Sequence, residues 1–114
     1  MRSNDLIRLT HMLDASKEIL SLSAGKTRND IETERLLNLG LVRLIGIVGE
    51  AAAKVSAEGQ SEYRNIPWPQ IIGMRNRLIH GYDNIDFDIL FKTISEDLPP
   101  LVAELERVIQ TAQK

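Results

Sequence analysis

The chain has 114 residues, 43% of them apolar, a formal net charge of −2 and no cysteine. That is room for one domain over residues 1–114, and it excludes disulfide scaffolds, thiolate metal sites and cysteine nucleophiles. A pI near 5.7 argues against a broad, nonspecific grip on nucleic acid, which needs many Lys/Arg–phosphate contacts.

The apolar spacing is helical almost throughout. Leu6, Leu9, Leu13, Ile19 and Leu20 predict a first helix over 4–23, capped by Ser3 or Asn4 and stopped by Gly25. A longer second helix should start near Thr27–Asp30 and run to about Ser56, with Leu37, Val42, Leu44, Ile45, Val48, Ala52 and Val55 as its stripe. Gly40, Gly46 and Gly49 lie inside it, each costing about 1 kcal/mol against Ala. Such a cost points to another backbone close by, or to a bend near Gly40. Asn65–Pro69 should form a rigid connection that no helix crosses, with Trp68 anchoring it against the third helix. That helix is expected to begin near Pro69 and to carry Gln70–Tyr82, with Gly81 as an end or distortion point. Asp83 or Asn84 should cap a fourth helix carrying Phe87, Leu90, Phe91 and Ile94. Asp97–Pro100 restarts or kinks the chain before the stripe Leu101, Val102, Leu105, Val108 and Ile109. Together these elements predict an all-α, antiparallel bundle of four to five helices. No apolar run approaches the roughly 20 residues of a membrane span, and the first residues lack the apolar core of a signal peptide. A cytoplasmic domain with no membrane contact is expected.

Chemistry concentrates in Gly73–Tyr82. Residues 61–82 hold Arg64, Arg75 and Arg77 against Glu62 alone, whereas residues 83–114 hold 7 acidic and 3 basic side chains, so anion binding would have to be local. Arg presents a permanent planar fork for phosphate oxygens. His takes and returns a proton near neutrality. Arg75, Asn76 and His80 therefore suit metal-free RNA cleavage: His80 would move the proton, Arg75 would stabilise charge on phosphorus oxygens, and Asn76 would orient His80 or donate to phosphate. On an ideal helix Asn76 and His80 lie about 40° apart, but Arg75 and His80 about 140° apart. Either the Arg side chain swings round or a second subunit supplies its own copy across a two-fold axis. The same residues also fit structural roles, with His80 at a helix end and Arg75 or Arg77 paired with acidic residues. Glu50 has the favourable i,i+4 order with Lys54 and is a candidate partner of Arg75 or Arg77. His11 reads as a partly exposed helix residue, and Tyr63 and Arg64 as a solvated loop. Two histidines without cysteine argue against a metal site. No cofactor is required.

The string Arg75-Asn-Arg-Leu-Ile-His-Gly-Tyr82 resembles the R-x4-H-x-Y signature of HepT-type toxins, a branch of the HEPN superfamily. Gly49–Ala51, Ile66–Trp68 and Asp97–Pro99 occur in that family's order and at roughly its spacing, so the resemblance covers nearly the whole chain. It implies a HEPN-like homodimeric helical bundle with two R-x4-H motifs facing one cleft. The implied activity is metal-independent cleavage of RNA, tRNA or mRNA, by Arg75 and His80, with Asn76 as the polar residue after the Arg. It further implies a type VII toxin–antitoxin pair. In that pair an MntA-type nucleotidyltransferase antitoxin silences the toxin by AMPylation of Tyr82, placing negative charge two residues from His80. A noncatalytic nucleotide-binding or partner-docking module is the alternative reading.

Overall fold

The computed structural model describes residues 3–82 and 84–113. Among these residues all regular elements are helical, apart from one bridge between Ile79 and Ile85. The fold is all-α. Helix α1 (Ser3–Ser23) buries Leu9, Met12, Ser16, Ile19 and Ser23, a 3-and-4 spacing that keeps one face inward. Its expected stripe is displaced: Leu6, Leu13 and Leu20 sit at the margin, partly buried. Gly25, at φ 74, reverses the chain beyond it.

The expected second helix is two helices. Thr27 and Asp30 form a reciprocal capping box for α2 (Arg28–Thr33), and the chain then extends at Glu34 before α3 (Arg35–Ala53). The break thus falls at Glu34, with Gly40 inside a continuous helix. The cause is Asn38, a buried polar residue whose side-chain amide donates to the carbonyls of Ile31 (3.0 Å) and Glu32 (3.3 Å). It satisfies acceptors that the end of α2 leaves open. By length and composition α3 could cross a membrane, yet half of its apolar window is buried within the fold, which is the behaviour of a core helix.

Residues 57–62, between the expected helix end near Ser56 and the Asn65–Pro69 connection, form the short helix α4 (Ala57–Glu62). Its cap, Ser56, is tied to α1 by the buried Asp5, which accepts from the Ser56 amide (2.9 Å) and hydroxyl (2.6 Å). Trp68 anchors the following turn, but to the end of α4 rather than against the third helix: the buried indole N–H donates to the carbonyls of Gln60 (3.0 Å) and Tyr63 (3.2 Å).

The predicted third helix is also broken. Helix α5 (Trp68–Ile72) gives way at Gly73 to α6 (Met74–Leu78), and helix geometry ends there, before His80. The cap of α7 (Phe87–Lys92) is Asp86, which accepts from the Ile89 amide at 3.0 Å. Of the two proposed caps, Asn84 lies in the preceding turn instead, and Asp83 lies outside the described residues. At Asp97–Pro100 the chain neither stops nor restarts. A π-helical segment (Thr93–Asp97) joins α7 to α8 (Leu98–Ala112), and the Leu98 amide bonds back to the Thr93 carbonyl. Pro99 and Pro100 have no N–H to give, and the wider turn admits their rings.

Helix α1 packs against both α3 and α8. Leu9, Met12, Ile19, Leu41, Ile45, Leu98 and Leu105 are fully enclosed, each contributing about 1.5–3 kcal/mol of burial. Helix α3 also contacts α5 and α6, and so supports the arginine-bearing segment.

Candidate active site

Arg75 lies on α6 where that helix crosses α3. The crossing is close because Gly46 and Gly49 have no side chains. A Cβ on Gly46 would come within 3.2 Å of Arg75 Cδ, and one on Gly49 within 3.1 and 3.2 Å of the Ile72 and Ile71 carbonyl oxygens. The close backbone approach anticipated for the long helix therefore occurs at Gly49. Gly46 instead makes room for an arginine stem, and Gly40 has nothing within 4 Å. Arg75 is exposed, and among the described residues it has neither a hydrogen bond nor an ion pair. Its guanidinium is available to an anion.

His80 is not on a helix. After Leu78 the chain makes a tight loop closed by the Ile79–Ile85 bridge, with the His80 amide donating to Asn84 O (2.8 Å), Asn84 N to Gly81 O (2.9 Å) and Asp86 N to Leu78 O (2.8 Å). Gly81 takes φ 67 at the turn, the left-handed region that glycine enters without steric cost. The arithmetic that set Arg75 and His80 about 140° apart no longer applies, and with it goes the angular reason for pairing two subunits. The loop instead carries the imidazole back to the start of α7, where Nε2 lies 3.6 Å from Asp86 Oδ2. The Asp86 carboxyl is held below the usual carboxylate range, first by the Ile89 amide; burial opposes this and His80 reinforces it. Asp86 escaped the sequence reading, because two other Asx residues just upstream offered the same capping signal.

The other candidates separate. Asn76 is exposed and makes no hydrogen bond among the described residues, so it does not orient His80 there. Arg77 turns away, its Nη2 donating to the Gln70 carbonyl at 2.9 Å, and so closes the end of α5. It also lines a concavity of roughly 560 Å³, which contains neither Arg75 nor His80 and is edged by Glu96, Asp97 and Glu104. Three carboxylates make that cleft a poor seat for phosphate. Glu50 faces Arg43 at 3.5 Å, both well exposed, and its described pairing involves neither Arg75 nor Arg77 nor Lys54; a surface pair of this kind contributes about 0–1 kcal/mol. Tyr82 projects fully into solvent from the loop tip at φ 38, a region that costs a non-glycine residue about 1–2 kcal/mol. No group of three or more His, Asp or Glu that could hold a metal ion occurs among the described residues.

A helical domain that presents an unpaired arginine and, five residues on in sequence, a loop-borne, carboxylate-faced histidine belongs with small all-α proteins whose polar site suits phosphate chemistry. More narrowly, the chain belongs to the HepT-like ribonuclease family, whose model, "Ribonuclease HepT-like", matches residues 12–108. Among curated relatives, "Putative RNase MJ1380" of Methanocaldococcus jannaschii is 28% identical over 100 residues, 88% of this chain and 92% of that protein. "Probable ribonuclease HepT" of Thermococcus cleftensis is 30% identical over 79 residues, 69% and 72% of the two chains. A third, "Gamma-glutamylcyclotransferase and putative RNase MJ0434" of Methanocaldococcus jannaschii, is 30% identical over the whole of this chain and 51% of that protein. No solved structure gives a significant match.

Proposed function

We propose that this ribonuclease is a metal-independent endoribonuclease toxin acting in the cytoplasm as a homodimer of a single-domain chain. The observation that carries the reading is the exposed, unpaired Arg75 guanidinium followed by His80 held against Asp86. In the reaction the RNA 2′-hydroxyl attacks the adjacent phosphorus, its proton passing to His80. The P–O5′ bond breaks, and the imidazolium returns a proton to the leaving oxygen. Arg75 lies against the phosphorus oxygens as their charge grows, and Asn76 adds a donor. The products are a 2′,3′-cyclic phosphate and a free 5′-hydroxyl. The substrate is tRNA or mRNA.

Pairing of two chains is supported by apolar side chains left uncovered: Leu36 on α3 is 88% exposed, with Leu39 on the same helix and Ile72 on α5 partly so. Regulation follows the type VII scheme. An MntA-type nucleotidyltransferase transfers AMP from ATP to the Tyr82 hydroxyl, forming the new P–O bond and releasing pyrophosphate. Full exposure of Tyr82 suits that transfer, and the added phosphate repels RNA beside His80.

The test is cleavage of labelled RNA by the purified chain with and without EDTA. Cleavage that survives EDTA, leaves a cyclic phosphate and disappears in both His80→Ala and Arg75→Ala, with helicity retained, supports the reading. RNA binding without products would make the chain a docking module instead.

A further inference from the structure

We propose that Asp86 is a positioning residue for His80, fixing the neutral imidazole in its Nε2–H tautomer so that Nδ1 is the atom that exchanges protons with RNA. The inference rests on the ribonuclease reading for its catalytic consequence, but its geometric content stands apart. The two carboxylate oxygens of Asp86 have separate tasks. Oδ1 accepts from the Ile89 amide at 3.0 Å and so caps α7, while Oδ2 faces His80 Nε2 at 3.6 Å. The cap holds the carboxylate in place, the Asp86 amide is tied to the Leu78 carbonyl, and the His80 amide is tied to Asn84 across the bridge. Both backbones are therefore fixed, and the carboxylate can present only an acceptor to Nε2. An acceptor there favours the proton on Nε2 and leaves the Nδ1 lone pair free.

Two charges close by in the chain are engaged elsewhere. Asp88, on the same helix, is paired with Arg28 of α2, which also holds Glu32. Arg77, two residues from Arg75 on α6, is bonded to Gln70. The His80 side chain is 59% exposed, so substrate can reach the ring while one edge stays on Asp86.

The same division of labour makes Asp86→Asn an informative change. With Oδ1 still capping Ile89, the amide NH2 takes the place of Oδ2 and turns a donor toward Nε2, which drives the proton to Nδ1. Asn caps helices as well as Asp does, so thermal stability and helicity should stay close to wild type. The expected result is a tautomer switch at His80 and a loss in kcat on the order of 100-fold, within the range of general acid–base catalysis, with KM little changed. The tautomer is read at about pH 8.5, above the ordinary imidazole range, from long-range proton–nitrogen spectra of histidine-labelled protein. His11→Gln assigns the two rings. Asp86→Ser keeps a capping oxygen and removes the second acceptor. It should mix the tautomers and give an intermediate rate, and it serves where Asp86→Asn fails to fold.

An Nδ1–H tautomer in the wild-type chain, or Asp86→Asn and Asp86→Ser variants with unaltered tautomer and kcat, would overturn the proposal. A wild-type chain that cleaves no RNA, yet shows the Asp86-dependent tautomer, refutes the ribonuclease reading and leaves the positioning of His80 by Asp86 standing.

Discussion

Replacing the three glycines of α3 by alanine, one at a time, separates helix propensity from packing along a single helix. Each replacement removes the same backbone penalty, about 1 kcal/mol in a helix interior, and what differs is the neighbour. At Gly40 a Cβ meets nothing within 4 Å, so the full gain of about 1 kcal/mol should appear, a rise in Tm of about 4 °C for a domain near this size. At Gly46 the Cβ would come 3.2 Å from Arg75 Cδ. That contact needs a shift of a few tenths of an ångström, which a flexible stem on an exposed residue can make, so about half of the gain should survive. At Gly49 the obstacles are the Ile72 and Ile71 carbonyl oxygens at 3.1 and 3.2 Å. They are backbone at the end of α5, whose Ile71 is buried and cannot swing aside. Overpacking of this kind costs about 1–3 kcal/mol, which exceeds the propensity gain and leaves the variant about 1 kcal/mol less stable. Urea unfolding followed by far-UV circular dichroism gives all three values. A Gly49→Ala protein as stable as Gly40→Ala would refute the close α3–α5 contact on which the placement of Arg75 depends. Gly46→Ala carries a second readout. It should fold well yet cleave RNA several-fold more slowly, because displacing a guanidinium by a fraction of an ångström weakens its hold on phosphate.

Trp68→Phe keeps the ring but strips the donor from the Gln60 and Tyr63 carbonyls; the expected cost is about 1–3 kcal/mol, and a urea midpoint equal to wild type would show that the indole N–H is dispensable. Tyr82→Gly should raise stability by about 0.5–1 kcal/mol, since relief of the φ 38 conformation outweighs the added freedom of the unfolded chain, while abolishing any mass increase on incubation with nucleotidyltransferase and ATP. Asp30 is held below the usual carboxylate range by the Thr27 amide and hydroxyl, and Asp86 by the Ile89 amide. For a lowered folded pKa the stabilisation is present above the ordinary value near about pH 4 and is lost as pH falls through the folded value. Amide exchange at Thr27 and Ile89, whose N–H groups donate to the Asp30 and Asp86 carboxylates, should therefore accelerate, after correction for intrinsic rate, as pH falls below the ordinary carboxylate range, and protection unchanged down to acid unfolding would contradict both caps.

Much of the fold was legible where one residue type acts locally. The bounds of α1, the reversal at Gly25 and the apolar stripe of α8 all follow from periodicity or from the φ preference of single residues. What failed depended on distant partners. Nothing in the run from Thr27 to Ser56 signals a break at Glu34 except Asn38 amid aliphatic neighbours, and its meaning emerges only when its amide is seen on the carbonyls of α2. The end of α6 was hidden because Ile71, Met74 and Leu78 keep helical spacing up to the point where Ile79 pairs with Ile85. That pairing is too short to show as alternation.

The candidate site shows the same division, with a consequence for how its residues act together. Arg75, His80 and Tyr82 stand out by chemical type, but their mutual arrangement does not follow from helix phase, because the helix stops at Leu78. Had the helix continued, the direction of His80 would follow from helix phase, and a divergent Arg75 would need either a swing of its side chain or a second subunit. In the observed loop, the direction of His80 is set by a bridge and a capping carboxylate, and that of Arg75 by the absence of a side chain at Gly46. The two groups thus answer to different supports, α7 for the histidine and α3 for the arginine. Changes at Asp86 and Gly46 should therefore combine additively in ln(kcat/KM), as expected for sites that share no partner. A strongly non-additive Asp86→Asn/Gly46→Ala double variant would mean that the arginine and histidine move as one unit.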